Sequence, residues 1–235
     1  GYQESKGLFS SGARTEQPQY DFAGREVTGY RGWVFQTDDR HLLPAQGIGL
    51  TPDIDRKFAD AAIEFIKQDH EQPYFLHVNF TAPHDPLLMP PGWEGKYNSK
   101  RIPLPKNYQP QHPFDHGNLK GRDELLNSFP RRKSDIKRDL ATYYAVISHM
   151  DQQIGKILNA LDDTDQTKNT IVVFSSDHGL ALGSHGLMGK QNMYEHTINV
   201  PLIFRGPGIP KGKKLAAQCY PVSYTHLTLP PNREV

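Results

Sequence analysis

A chain of 235 residues with 36% apolar and 23% charged side chains can build one large domain or two small ones, and its 19 prolines and 20 glycines require many loops. Lys plus Arg (27) nearly cancels Asp plus Glu (26), leaving a formal net charge of +1, which argues against a nucleic-acid binder. The single cysteine, Cys219, cannot close an internal disulfide, and no apolar run approaches the ~20 residues needed to cross a bilayer.

In chain order, residues 1 to about 50 are polar and glycine-rich, with GYRGWVF (Gly29–Phe35) as the one apolar cluster. They predict loops and one short strand. Thr51-Pro52-Asp53 reads as a helix start, with Thr51 as N-cap and Asp53 near the positive end of the dipole. Ile54, Phe58, Ala61, Ala62, Phe65 and Ile66 then recur at helical spacing, predicting a helix to about Asp69. Tyr74–Phe80 (YFLHVNF) predicts a buried strand that runs into Thr81-Ala82-Pro83-His84-Asp85-Pro86.

Residues 87–134 are rich in Pro, His, Asn and charge, with little periodicity. So long an irregular stretch predicts a lid or binding loop over the mouth of a site. Asp135 to about Leu161 is the longest expected helix, carried by Leu140, Tyr143, Tyr144, Ile147, Met150, Ile154, Ile157, Leu158 and Leu161. Ile171–Phe174 is a continuous apolar run of the kind buried on both faces of a parallel sheet. A short helix within residues 191–200, a strand at Pro201–Phe204 and a turn at Gly206-Pro207-Gly208 follow. The expected class is α/β, a mostly parallel central sheet flanked by helices.

Chemistry gathers where the two buried runs end, the usual place for ligands in open α/β sheets. Asp177 and His178 follow Ile171–Phe174, and at a strand end both can converge on one ion. A carboxylate with an imidazole suits zinc, manganese or iron, whereas calcium prefers oxygen ligands. The alternative is a capping aspartate beside a histidine bonded to a loop carbonyl. His84 sits on a loop stiffened by Pro83 and Pro86, as an acid, base or anion-binding imidazole requires; an idle turn histidine is the alternative. Lys190 lies beyond glycines at 179, 183, 186 and 189, so its ammonium can fold back as a point charge for an anion. His185 is expected in a secondary role, and Trp93 and Tyr97 either stack on a sugar or pack the lid.

Taken together, FLHVNFTAPHDP (Phe75–Pro86), FSSDHGLALGSHGLMGK (Phe174–Lys190) and VPLIFRGPGI (Val200–Ile209) resemble the sulfatase family of the alkaline-phosphatase-like superfamily, and most closely bacterial sulfatases acting on carbohydrates. The resemblance implies a sulfuric ester hydrolase that removes sulfate from a saccharide, with one calcium ion and a formylglycine nucleophile made from the Cys or Ser of a C/S-x-P-x-R motif. It implies metal ligation by Asp177 and His178, with the ion otherwise coordinated mainly by oxygen. It gives His84 and Lys190 catalytic and sulfate-binding roles. It also implies a periplasmic or secreted location.

No C/S-x-P-x-R occurs in the chain. Cys219-Tyr220-Pro221-Val222-Ser223 comes nearest but has Ser223 where Arg is required. The resemblance places the nucleophile and two further metal carboxylates upstream of residue 1, so residues 1–221 are expected to form part of a catalytic domain. On that expectation the amino-terminal strands and a carboxyl-terminal subdomain lie outside it. VSYTHLTLP (Val222–Pro230) resembles a translated sequencing adapter, and 222–235 is expected to be a non-native tail. Two alternatives stand beside the sulfatase reading: a phosphomonoester or phosphonate-ester hydrolase of the same superfamily, and a catalytically inert fragment.

Overall fold

The computed structural model describes residues 4–13, 16–27 and 29–216. Cys219 and the expected tail at 222–235 lie outside the described residues. Near the amino terminus, β1 (Leu8–Ser11) pairs antiparallel with β4 (Trp33–Gln36), and the two-residue strands β2 (Gln19–Tyr20) and β3 (Glu26–Val27) pair within that loop. The single short strand expected here is therefore four. Phe35 from β4 is buried with Leu50 and Ile54, and Phe9, Tyr30 and Phe58 pack around them.

The first helix, α1 (Ile54–Ile66), starts two residues later than expected. Asp53, not Thr51, is its N-cap, and Thr51 Oγ1 donates to Asp53 Oδ1 at 2.9 Å. The long helix α2 (Lys133–Asp163) has 31 residues, a rod of about 46 Å. Ile136, Leu140 and Ala141 at its start are buried with Ile102, Leu182 and Met188. Ala160 and Leu161 at its end are buried with Ile66 of α1. One helix thus supports both the segment leading to Lys190 and the layer formed by α1. After it come β5 (Val172–Ser175), α3 (Glu195–Ile198) and β6 (Leu202–Arg205).

The mostly parallel sheet expected here has no parallel pair among the described residues. Among the described residues every strand pair is antiparallel and two-stranded, β5 with β6 in register Val172↔Arg205 to Ser175↔Leu202. Residues 74–80, expected as a buried strand, alternate between half-buried and exposed side chains, the period of two that extended backbone imposes, and are assigned to no strand among the described residues. The burial of Ile171–Phe174 on both faces is corrected: Ile171 is 60% and Val173 50% exposed. Val172 packs on the Ile66–Ala160–Leu161 cluster, so helices cover one face of the hairpin only. No helix among the described residues is long and apolar enough to cross a membrane.

The α1–α2 contact holds a buried polar pair that the apolar spacing did not reveal. Asp55 and His149 face each other at 3.9 Å, too far for a hydrogen bond. Burial pushes the Asp55 carboxyl up to about 6, against a weaker pull from the Ala82 backbone, and burial pulls the His149 imidazole down. Because folded Asp55 holds its proton more tightly than the unfolded chain, its ionisation removes stability as pH rises from about 4 through about 6. Asp55→Asn should therefore gain about 2–3 kcal/mol over wild type at pH 8 relative to pH 4. Urea unfolding at the two pH values measures it; an equal effect at both would contradict the assignment.

Candidate anion-binding site

Two segments far apart in sequence meet at one point. His84 follows the cis Ala82–Pro83 bond, and its N–H donates to Thr81 O at 3.0 Å. Its Nδ1 lies 2.6 Å from Asp85 O and 3.3 Å from Asp85 Oδ1. The carbonyl oxygen accepts, so Nδ1 carries the ring proton, while Asp85 Oδ1 is a buried near neighbour with no hydrogen-bond partner among the described residues. Nε2 is left with its lone pair, and Lys190 Nζ, 106 residues along the chain, donates to it.

Lys190 reaches this point because the chain before it folds back on itself. Gly183 N–H donates to Leu187 O at 2.7 Å and Ala181 N–H to Gly189 O at 3.1 Å. Buried Glu124 accepts from the N–H groups of Met188 and Gly189, both at 2.9 Å. Gly186 sits in this return at φ 76°, and a Cβ there would lie 2.5 Å from backbone atoms of Gln111 and His112. Gly186→Ala should cost about 2–3 kcal/mol by crowding backbone that has nowhere to move. Urea unfolding reads this, and an unchanged midpoint would contradict the packing.

Around the pair stand residues that sequence spacing did not single out. Asp123, 1% exposed, places Oδ2 3.6 Å from Lys190 Nζ and accepts from Gln191 Nε2 at 3.0 Å. Burial opposes its charge, but Gln191, Arg122 and Lys190 outweigh that and hold its carboxyl below the ordinary range. Tyr30 sets its ring edge-on to His84, with centroids 5.5 Å apart at 86°. Burial, reinforced by Asp85, pushes the Tyr30 phenol up, so it stays a neutral donor. Asp85, Arg122, Asp123 and Gln191 are charged or polar residues in loops, and nothing in local spacing distinguishes them from solvated surface.

Asp177 and His178 follow β5, as expected, and the His178 ring lies 6.4 Å from that of His84. Asp177 is 84% exposed, with Oδ2 3.4 Å from His178 Nε2. His178 Nδ1 lies 3.1 Å from Gly179 O, and with the proton on Nδ1 the Nε2 lone pair would face the carboxylate. Two acceptors facing each other at that separation suit neighbouring ligands of one cation with bonds of about 2.3–2.6 Å. They are two donors of the six to eight that calcium takes, and the described residues hold no group of three or more metal-ligating side chains. The alternative is partly realised as well, since Asp177 Oδ1 accepts the His178 N–H at 2.9 Å and His178 bonds a loop carbonyl.

His185 belongs elsewhere: it stacks on Tyr194 at 4.0 Å and bonds Asn107 Nδ2 at 2.9 Å. Tyr97 packs against Tyr144 and bonds Ser148 Oγ at 2.6 Å, so it braces residues 87–134 on α2.

A sulfatase of Formosa agariphila is 32% identical over 171 residues, covering 69% of this chain and 33% of that protein. Human iduronate 2-sulfatase is 31% identical over 199 residues, covering 77% and 36%. The solved phosphonate monoester hydrolase of Agrobacterium radiobacter shares the mixed α/β fold, with TM-score 0.56 and 26% identity over 68% of this chain and 35% of that one. The chain thus spans about a third of the length of these curated relatives. Residues 10–231 match the family profile described as Sulfatase, and the chain belongs to the sulfatase family.

Proposed function

We propose that the chain is the part of a sulfuric ester hydrolase that binds the sulfate group and delivers a proton to the leaving oxygen. The observation that carries this reading is the meeting of the Lys190 ammonium with His84 Nε2. An ammonium fixed beside an imidazole can hold a non-bridging sulfate oxygen, and such preorganised charge is worth most where negative charge develops. The Nζ proton shared with Nε2 passes through His84 to the departing alkoxide, so that His84 acts as general acid and Lys190 is left neutral until it is protonated again.

Asp177 and His178 are the residues that would hold a divalent cation, calcium by family resemblance, and when bound it supplies Lewis-acid charge to the same oxyanion. The nucleophile is a formylglycine supplied by a C/S-x-P-x-R motif in the longer protein. Residues 74–80 and β5 are neighbours in a parallel sheet of that protein, and residues 87–134 shape the entry to the site. A saccharide sulfate is the substrate class favoured, because a relative matched over most of this chain is named for iduronate. The location is periplasmic or secreted.

The likeness to a phosphonate monoester hydrolase favours a second reading, a phosphonate ester as substrate. Calorimetric titration with a sulfated monosaccharide, inorganic sulfate and methylphosphonate separates the two. The sulfatase reading expects both sulfate compounds to bind more tightly than methylphosphonate, and the reverse order would favour the second. Having no C/S-x-P-x-R motif, the chain alone should release no 4-nitrophenol from 4-nitrophenyl sulfate; calcium-dependent turnover would contradict the assignment of the nucleophile.

A further inference from the structure

His84 and Lys190 are each held by a different buried carboxylate, and one side chain joins the two. Arg122, on the irregular 87–134 segment, places Nη2 3.1 Å from Asp85 Oδ2 and Nε 2.7 Å from Asp123 Oδ1. Asp85 lies 3.3 Å from His84 Nδ1, and Asp123 lies 3.6 Å from Lys190 Nζ. With the Lys190–His84 contact these side chains close a ring: His84, Asp85, Arg122, Asp123, Lys190. Two carboxylates face one guanidinium and one ammonium, so formal charge cancels within the ring. Asp85 and Asp123 are 5% and 1% exposed, so neither can exchange its partner for water cheaply.

Only a forked, planar donor can span both carboxylates; an ammonium is a point charge on a flexible stem. The backbone makes room for that fork. A Cβ at Gly29 would lie 2.8 Å from Arg122 Nη1, so a side chain there would displace the guanidinium.

We propose that Arg122 is a positioning residue: by clamping Asp85 to Asp123 it holds His84 in the Nδ1–H tautomer with Nε2 turned to Lys190. It thereby fixes the spacing of the two groups that the proposed function assigns to the sulfate, and in that respect it rests on that reading. The irregular segment then does more than cover the site, since its docking completes the geometry on which the anion is received.

Two variants of the full chain test this without removing charge. Arg122→Lys keeps the cation but cannot bridge; Gly29→Ala keeps every charged group and crowds the fork. Long-range proton–nitrogen correlation of the neutral His84 ring reports its tautomer directly. The wild-type ring should be protonated at Nδ1 alone. Both variants should show a mixture of tautomers, with sulfate affinity about tenfold lower by calorimetry and an unchanged pattern of backbone amide dispersion. If Arg122→Lys fails to fold, Gly29→Ala carries the test. His84 signals superimposable on wild type in a folded variant would overturn the role of Arg122, even with sulfate binding intact. A wild-type chain that ignores sulfate but loses its tautomer in the variants would support the clamp and overturn the sulfate reading instead.

Discussion

Arg131→Ala is expected to destabilise the chain by about 3–5 kcal/mol, the usual cost of stripping one partner from a buried ion pair. Arg131 and Glu124 are both fully enclosed, with Nη2 2.6 Å from Glu124 Oε2. The same guanidinium donates to Glu124 O at 2.7 Å, to Gly186 O at 3.2 Å and to Asn127 O. Burial pulls the Arg131 guanidinium down, and Glu124 offsets part of that. Truncating Arg131 would strand the Glu124 carboxylate, which also receives the N–H groups of Met188 and Gly189. The loss therefore reaches the return that delivers Lys190. The paired variant Arg131→Met with Glu124→Gln removes both charges and should cost less than Arg131→Ala alone. Urea unfolding of the three proteins decides; a loss below about 1 kcal/mol for Arg131→Ala would contradict an enclosed, uncompensated carboxylate.

Lys190→Met should lower affinity for inorganic sulfate by about 10–100-fold, matching the 1.5–3 kcal/mol of a hydrogen bond to a charged group. The methionine keeps much of the length and all of the apolar stem, so folding should persist while the ammonium is lost. His84→Gln should weaken binding less, because its ring is neutral in the resting pair. Equal affinity for wild type and Lys190→Met by calorimetry would remove Lys190 from the site.

The two long helices were readable in the sequence, because an apolar stripe at a period of 3.6 is a local signal and both stripes were long. Ile54 to Ile66 and Leu140 to Leu161 lie in the helices they predicted. The strand pairing was not readable. Residues 74–80 show the right period, yet a period of two says which side chains share a face and nothing of which strand lies alongside. The two-sided burial expected of Ile171–Phe174 failed for the same reason, since apolar content does not state what covers it. At the site, the strand-end motifs drew attention to His84, Asp177, His178 and Lys190 individually. That Lys190 meets His84 is a contact across 106 residues, which no local spacing encodes. Arg122 and Asp123 were the least legible, being two charges in a stretch whose composition reads as solvated loop. Burial of Asp123 gives them meaning, and burial is a property of the fold.

The oxyanion site can be seen directly with selenate, a sulfate analogue whose selenium scatters anomalously. A crystal of the chain soaked in selenate should show an anomalous peak between Lys190 Nζ and His84 Nε2, with the two side chains parted to receive it. A crystal whose peaks all lie elsewhere, with the Lys190–His84 contact closed at saturating selenate, would contradict an oxyanion site at that pair.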